Sequence, residues 1–390
     1  TTEFSLSAQD LGLLAGGYFL GFSLTQLPLG RWLDQHGPKK VILAFLSFAV
    51  LGCLAFAWAD SFHGLLAARV LCGMGVSACL MAPLTGYRRW LAPAGRMALT
   101  NYLISQLLFF SIGLALFVHA CHLWLRWPGG LFAVVAFVPV FFNLTFSQNG
   151  LFTASFIILA LHFMHRKPWA AGLFISLLLI KPHLGVLVPL ALLLGRYYRV
   201  FFWASLFSGG WMALSLWSFG SEPWHAFIGR LTAAGEHLNA GKLMLSSMVS
   251  VMVNLRQLGM KTEQALLLHI LYMLPFLIVM IMTWRRTGNP ALQGASLGLA
   301  TLVVSPYLFD YDLTWQALPI GLLAIHARQT GWLKGESTLL TLAWALPLLD
   351  LFATLSGFSE HFPYSLWPIM NLGLLWLMYQ RLATHTRLVL

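Results

Sequence analysis

The chain alternates long apolar runs with short polar or charged connections from one end to the other. Runs of roughly 20 apolar residues can cross a bilayer as helices, and these lack the period-two alternation of membrane strands. The pattern predicts an all-α fold, a polytopic helical integral membrane protein with about 11–13 membrane segments, some of them re-entrant half-helices. The runs long enough for a full crossing are residues 11–30, 41–59, 65–85, 97–118, 200–219, 264–283, 291–309 and 337–356.

One shorter run contains a predicted break. Residues 168–195 begin after one basic connection and end before another, so their middle must turn back as a hairpin. Each arm has about a dozen residues, fewer than the roughly 20 of a full crossing. Pro182 lacks an N–H and disfavours helix at the preceding residue, which predicts the break at Lys181. The shorter or interrupted runs are 130–146, 151–164, 169–195, 313–327 and 364–380.

Charge indicates which ends of the helices face the cytoplasm. The chain is 59% hydrophobic and 9% charged, with a net charge of +11, and short basic connections hold 16 of its 23 lysines and arginines. In membrane proteins such connections are cytoplasmic, so the net charge does not indicate a nucleic-acid partner. The connections are "RWLDQHGPKK", "GYRRWLAPAGR", "HRKP", "GRYYR", "WRRTGNP", "HARQTGWLKGE" and "QRLATHTR".

Counting crossings between these connections places several polar stretches outside. From Arg199 onward the spans alternate consistently and put "IKPH", the loop 220–263 and "DYD" at 310–312 on the outer side. Between "GYRRW" and "HRKP" an odd number of crossings is required after the 97–118 span. We therefore expect one of the runs 130–146 and 151–164 to be re-entrant or interfacial.

Lys181 lies in an apolar segment, where a charged side chain is energetically costly. At bilayer depth it costs about 2.5 to 3.5 kcal/mol, and such residues usually face a cavity or a partner. Broken backbone at that depth is tolerated where it lines a cavity. Lys181 and His183 are therefore expected to point into an outward polar cavity. The alternative is that Lys181 extends to the headgroups and His183 packs against a carbonyl.

Four stretches resemble glycosyltransferase family 87, polytopic enzymes of the GT-C type. They are "FSQNGLFTASFIILAL", "RKPWAAGLFISLLLIKPHLGVLVPLALLLGRYYR", "FGSEPWHAFIGRL" and "SPYLFDYDLTW", in family-like order from about residue 127 to the end. The resemblance implies a membrane hexosyltransferase, usually a mannosyltransferase, that takes its sugar from a polyprenyl-phosphate carrier. It also implies that the family's amino-terminal spans, including the outer loop with a key aspartate, are replaced here.

The amino-terminal part resembles a different family. "GRWLDQHGPKKV" and "ARVLCGMGVSACLMAP" are similar to helices two to four of a major facilitator superfamily transporter, over residues 11–92. We therefore expect a transporter-like three-helix segment at 1–93, a junction with one span at 94–126 and a GT-C-like membrane domain at 127–390. The alternatives to a glycosyltransferase are a transporter fragment and an inactive fusion of the two.

The glycosyltransferase resemblance implies a site with three parts. A carrier phosphate requires cations, for which Lys181 and His183 are candidates, with Arg230 and Lys242 of the outer loop as further ones. A carboxylate must take the acceptor's proton, and the candidates are Asp310, Asp312 and Asp60. The alternative for "DYD" is a helix cap, since aspartate favours a helix N-terminus. Gln148 and Asn149 are expected to bind sugar hydroxyls.

The expected partners follow from the same resemblance. They are a polyprenyl-phosphate-linked sugar, a glycan or glycolipid acceptor and membrane lipids, in a bacterial inner membrane that the chain crosses many times. The four cysteines lie in or beside apolar runs without C-x-x-C spacing, which is typical of packing residues. A lone D-x-D is a weak metal motif, so we expect no metal and no cofactor.

Overall fold

The computed structural model describes residues 8–90, 93–229, 248–355 and 364–389. Regular structure in these ranges is helical, apart from an isolated bridge between Met248 and Phe309. The predicted polytopic helical fold is confirmed. The helices long and apolar enough to cross a membrane are Pro38–Ala57, Tyr102–His122, Tyr198–Phe219 and Thr262–Arg286, and shorter apolar helices accompany them.

The chain divides into two compact units, residues 1–105 and 106–390. The first, unit 1, contains α1 (Ala8–His36), α2 (Pro38–Ala57) and α3 (Phe62–Trp90). Gly37 has a φ of 81° and lies between α1 and α2, in a left-handed conformation that favours glycine. Proline follows it at the first position of α2, where a missing N–H costs nothing. This pair of residues reverses the chain within one connection.

Close backbone contact holds α3 against both of its neighbours in unit 1. A Cβ on Gly73 would lie 2.0 Å from the carbonyl oxygen of Tyr18 in α1. A Cβ on Gly75 would lie 2.2 Å from the backbone nitrogen of Ala49 in α2. In lipid, small residues at helix interfaces permit this approach and the dispersion contacts that it brings.

We expect Gly73→Ala to destabilise the protein by about 1–3 kcal/mol, because the added methyl group forces α1 and α3 apart. Gly16→Ala is the matched control, since no heavy atom lies within 4 Å of a Cβ at that position of α1. Alanine is the better helix former, so the control should be neutral or slightly stabilising. Thermal unfolding in detergent measures both, and equal midpoints for the two variants would contradict the expectation.

The second unit, unit 2, contains the other helices, except that α4 begins before the unit boundary at residue 105. Two of its segments are 3₁₀ helices, Leu177–Ile180 and Asp310–Gln316. The α-helices are α4 (Pro93–His122), α5 (Pro128–Val135), α6 (Val138–Thr145), α7 (Gly150–Phe163), α8 (Pro168–Ser176), α9 (Pro182–Gly185), α10 (Val188–Leu194), α11 (Tyr198–Phe219), α12 (Val251–Gln257), α13 (Thr262–Arg286), α14 (Pro290–Val304), α15 (Ala317–Thr330), α16 (Glu336–Leu355) and α17 (Trp367–Val389).

The basic connections of unit 2 meet at one end, which we call the basic end. There the Tyr197 hydroxyl, between α10 and α11, donates to Gln293 Oε1 of α14 at 2.9 Å. Thr330 is the last residue of α15, and its Oγ1 accepts a hydrogen bond from Arg381 of α17 at 3.0 Å. These contacts agree with the alternation predicted after Arg199. The opposite end, which we call the site end, holds "IKPH" and "DYD".

The run from 130 to 164 crosses differently from the expectation. Trp124 follows α4, and its Nε1 donates to the carbonyl of Ile158 near the end of α7 at 3.4 Å. At the opposite end of α7, the backbone N–H of Gly150 donates to Asn143 Oδ1 of α6 at 2.6 Å. Helices α5 and α6 therefore run together antiparallel to α7, and both passes connect the same two ends. The expected odd number of crossings is wrong, because the connection after α4 lies beside the basic end of α7 and not at the site end.

The hairpin in residues 168–195 is confirmed. Helix α8 and the 3₁₀ helix Leu177–Ile180 form one arm, and Lys181 departs from helical geometry with φ −136° and ψ 78°. Pro182 then starts α9 at its first position, as its missing N–H predicts. Each arm has 13 residues, a rise of about 20 Å at 1.5 Å per residue. The arms are thus shorter than the roughly 30 Å hydrocarbon core.

Helix α14 lies in the core of unit 2. Every residue from Ala291 to Val303 is buried, including the polar Gln293, Ser296 and Thr301. Asn289 caps this helix, since its Oδ1 accepts from the N–H groups of Ala291 and Leu292. The 3₁₀ helix Asp310–Gln316 follows α14 after a short connection, so a buried helix fixes the position of "DYD".

Candidate functional site

An ion pair joins the hairpin to "DYD" at the site end. Lys181 Nζ donates to Asp312 Oδ1 at 2.7 Å, although the two residues are 131 positions apart in the chain. The Asp312 side chain is 2% exposed and the Lys181 side chain 13% exposed. A buried carboxylate is costly unless it is paired and hydrogen-bonded, so Asp312 requires Lys181 nearby. The structure thus supplies Lys181 with a partner, and Asp312 does more than cap a helix.

Tyr311 forms one wall around the lysine. Lys181 Nζ lies 4.5 Å from the centroid of the Tyr311 ring, within the range of a cation–π contact. The ring of Phe309 stacks on Tyr311 at 5.1 Å with an interplanar angle of 6°. Between the ring and the carboxylate, the ammonium group has a defined position instead of the freedom of a surface lysine.

His183 provides an imidazole beside this pair. It lies in α9, two residues after Lys181, and its side chain is exposed. The charges of both Asp312 and Lys181 act on its imidazole. Lys181 has three N–H donors and Asp312 accepts from one of them, so donors remain for a second anionic group. The site can therefore hold an anion between Lys181 and His183.

Asp310 is the more accessible aspartate of "DYD". It is half-buried, and its Oδ1 accepts a hydrogen bond from the Tyr311 N–H at 2.7 Å. Burial raises the pKa of Asp310 to about 6, with a smaller contribution from the nearby carboxylates of Asp312 and Asp350 and against the opposing effect of the Tyr311 N–H hydrogen bond. A pKa close to the working pH suits a general base. Asp350 was missed by the sequence reasoning, although a lone aspartate in the apolar run 337–356 is a signal.

The turn "SQNG" lies against "DYD". Asn143 joins them, because its Nδ2 donates to the carbonyl of Tyr311 at 3.0 Å while its Oδ1 accepts from Gly150 N–H. A Cβ on Gly150 would lie 2.8 Å from the Tyr311 carbonyl oxygen, so only glycine fits this contact. The carboxamides of Gln148 and Asn149 are thereby placed on the same end of unit 2 as Lys181.

The two predicted sugar-binding carboxamides differ in their surroundings. Gln148 Nε2 donates to the carbonyl of Phe146 at 3.1 Å, within the turn itself. Asn149 Oδ1 is buried and accepts no hydrogen bond from the part of the chain that the structure describes. Asn143, 1% exposed, was missed by the sequence reasoning. A single asparagine in "VFFNLTF" is the signal that could have found it.

The remaining predicted residues lie elsewhere. Asp60 belongs to unit 1, where it is exposed in the connection between α2 and α3. Arg230 and Lys242 lie outside the described residues. Among the residues that are described, no group of three His, Cys, Asp or Glu side chains is arranged to hold a metal ion.

A family comparison shows which family the chain belongs to. The model of glycosyltransferase family 87 matches residues 18–306, about three quarters of the chain. The chain belongs to glycosyltransferase family 87. No curated protein and no solved structure matches it. Membership of family 87 makes the protein a membrane glycosyltransferase, which acts on a sugar donor and an acceptor.

The extent of the match corrects one expectation and leaves another without support. Family 87 was expected from about residue 127, but its match begins at residue 18 and includes the segment attributed to a transporter. The comparisons give no support to the resemblance of residues 11–92 to the major facilitator superfamily. The connection with Asp60 therefore belongs to family 87, whereas Asp310 and Asp312 follow the matched residues.

Proposed function

We propose that the protein transfers a hexose from a polyprenyl-phosphate carrier to a glycan or glycolipid acceptor, and that this hexose is mannose. Transfer takes place at the site end of unit 2, which the positive-inside rule assigns to the extracytoplasmic side of a bacterial inner membrane. The observation that carries the proposal is the Lys181–Asp312 pair at the break of a short hairpin. It provides a positioned cation within apolar surroundings, which suits a phosphate on a lipid tail.

Lys181 and His183 hold the phosphate in this proposal. Lys181 donates its remaining N–H groups to the phosphate oxygens, as charge-assisted bonds of this kind are short and strong. Asp312 does not touch the substrate and is a positioning residue that fixes the lysine by the 2.7 Å contact. The exposed apolar side chains of Ile180 and Val186, which flank the break, face the carrier's hydrocarbon tail.

Asp310 takes the proton of the acceptor hydroxyl. The hydroxyl oxygen attacks the anomeric carbon, the bond between that carbon and the phosphate oxygen breaks, and the polyprenyl phosphate leaves with the electron pair. Gln148 and Asn149 bind hydroxyl groups of the sugar, and Arg230 and Lys242 are additional cations for the acceptor or the carrier. Asp60 is the alternative candidate for the general base, because it lies in the region matched by the family.

Proteoliposomes containing the purified protein test the proposal with radiolabelled polyprenyl-phosphate mannose, polyprenyl-phosphate glucose and GDP-mannose as separate donors. Transfer is expected from a polyprenyl-phosphate donor and not from the nucleotide sugar. Lys181→Met should lose the reaction mainly through a raised donor KM, whereas Lys167→Met, at the basic end, should transfer normally. Transfer from GDP-mannose alone would overturn the donor class, and no transfer from any of the three donors would overturn the proposal.

The transfer rate should fall as the pH drops through about 6, because Asp310 is then protonated and no longer accepts the acceptor's proton. Above that pH the carboxylate is ionised and the rate should level off. The pH dependence of kcat/KM between pH 4.5 and 8 measures this in proteoliposomes. A rate that stays constant down to pH 4.5 would remove Asp310 from the base role.

A further inference from the structure

The basic end of unit 2 holds a group of cations that the transfer reaction does not use. Three arginines and two histidines, which we call the basic cluster, come together there from the ends of three helices and from two connections. The members are Arg126, Arg166, Arg328, His119 and His162. His162, at the end of α7, is close enough to His119, Arg126 and Arg166 for each of their charges to act on it.

Two tryptophans hold this cluster in place. The ring of Trp124 lies 6.1 Å from His162 in an edge-on arrangement, and its Nε1 bonds the Ile158 carbonyl. The guanidinium of Arg328 lies 4.5 Å above the ring of Trp127, a close cation–π contact. The connection 123–127 is thus fixed between α7 and α15.

The cluster has no acidic counterpart in its own stretches of chain. Residues 119–135, 160–176 and 319–335 contain no aspartate or glutamate. The next acid, Glu336, forms its ion pair with Arg381. Among the described residues, no arginine of the cluster forms an ion pair. Like charges gathered in this way repel one another, and the positive-inside rule requires only that they lie on one side.

We propose that the basic cluster is a binding site for an anionic phospholipid of the cytoplasmic leaflet, in particular one with two phosphates such as cardiolipin. Basic pockets between membrane helices on this side suit such headgroups, and arginine matches phosphate with paired donors. Trp124 and Trp127 have the amphipathic rings that favour the membrane–water interface. This inference is independent of the proposed transfer reaction, which belongs to the site end.

Native mass spectrometry and thermal unfolding of the detergent-purified protein test the site with four probes: cardiolipin, phosphatidylglycerol, phosphatidylcholine and inorganic phosphate. Cardiolipin should remain bound and raise the unfolding midpoint most. The triple variant Arg126→Gln, Arg166→Gln and Arg328→Gln should bind it at least tenfold more weakly. The control triple variant Arg199→Gln, Arg285→Gln and Arg286→Gln removes the same charge from exposed positions outside the cluster and should bind it as the wild type does.

Arg328→Gln alone is the second variant in case the triple variant does not fold, and it should weaken cardiolipin binding at least threefold. Equal weakening in the control variant would overturn the site, since it would show only a general dependence on positive charge. Equal stabilisation by inorganic phosphate would overturn the lipid as the ligand. Unchanged cardiolipin binding in both cluster variants would overturn the proposal altogether.

Discussion

Asp310→Asn should reduce the transfer rate at least about 100-fold, the lower end of what a positioned general base contributes. Asparagine keeps the size of the side chain and still accepts the hydrogen bond that Tyr311 N–H donates to Asp310 Oδ1 at 2.7 Å. It cannot take a proton at neutral pH. The loss should therefore appear in kcat, with the donor KM changed little, because Lys181 and His183 keep the carrier phosphate.

Asp60→Asn and Asp312→Asn are the comparisons that make this result decisive. Asp60 is exposed in unit 1, and its variant should retain most activity if Asp310 is the base. Asp312→Asn should instead raise the donor KM, since the side chain 2.7 Å from Lys181 loses its negative charge and positions the ammonium group less firmly. A loss of kcat in Asp60→Asn with Asp310→Asn active would move the base to unit 1. Donor binding, measured by thermal stabilisation, separates these effects from unfolding.

Local features of the sequence predicted the backbone at the site. Pro182 acts on its own neighbour through covalent geometry, so the break at Lys181 follows from two adjacent residues. Apolar run length similarly predicts a hairpin whose arms are too short for full crossings. The basic connections after Arg199 predict the side of the membrane, and the contacts at the basic end agree with the predicted alternation of spans. In such stretches, the covalent geometry of neighbouring residues and the lengths of the apolar runs are sufficient to predict the backbone.

The contacts that complete the site are not local. Lys181 and Asp312 are separated by 131 positions, and Asn143 and Tyr311 by 168. Composition shows that each polar group in an apolar run needs a partner, but not which one it receives. The count of crossings failed at residues 130–164 for a related reason. The 97–118 span was counted as ending outside, whereas packing of Trp124 against α7 places the end of α4 at the basic end.

Arg381→Met should lower the free energy of unfolding by about 3–5 kcal/mol, because it leaves a buried carboxylate uncompensated. Arg381 is 3% exposed and Glu336 1% exposed. Arg381 Nε donates to Glu336 Oε1 at 2.8 Å, and Arg381 Nη2 donates to Glu336 Oε2 and to the carbonyl of Gly331. The arginine thus fastens α17 to the connection between α15 and α16. Thermal unfolding in detergent measures the effect, with the exposed Arg285→Met as a control that should change little.

The double variant Arg381→Met, Glu336→Leu separates the loss of attraction from the cost of the orphaned charge. Removing both partners leaves no buried charge, and apolar replacements of buried ion pairs are often neutral or stabilising. The N–H of Leu333, which donates to Glu336 Oε2 at 2.9 Å, still loses its acceptor, so part of the loss should remain. We therefore expect the double variant to be more stable than Arg381→Met alone. If it is less stable, the direct contacts of Glu336 matter more than its charge. The donor KM of the folded fraction should match the wild type, because this pair lies at the basic end and Lys181 at the site end.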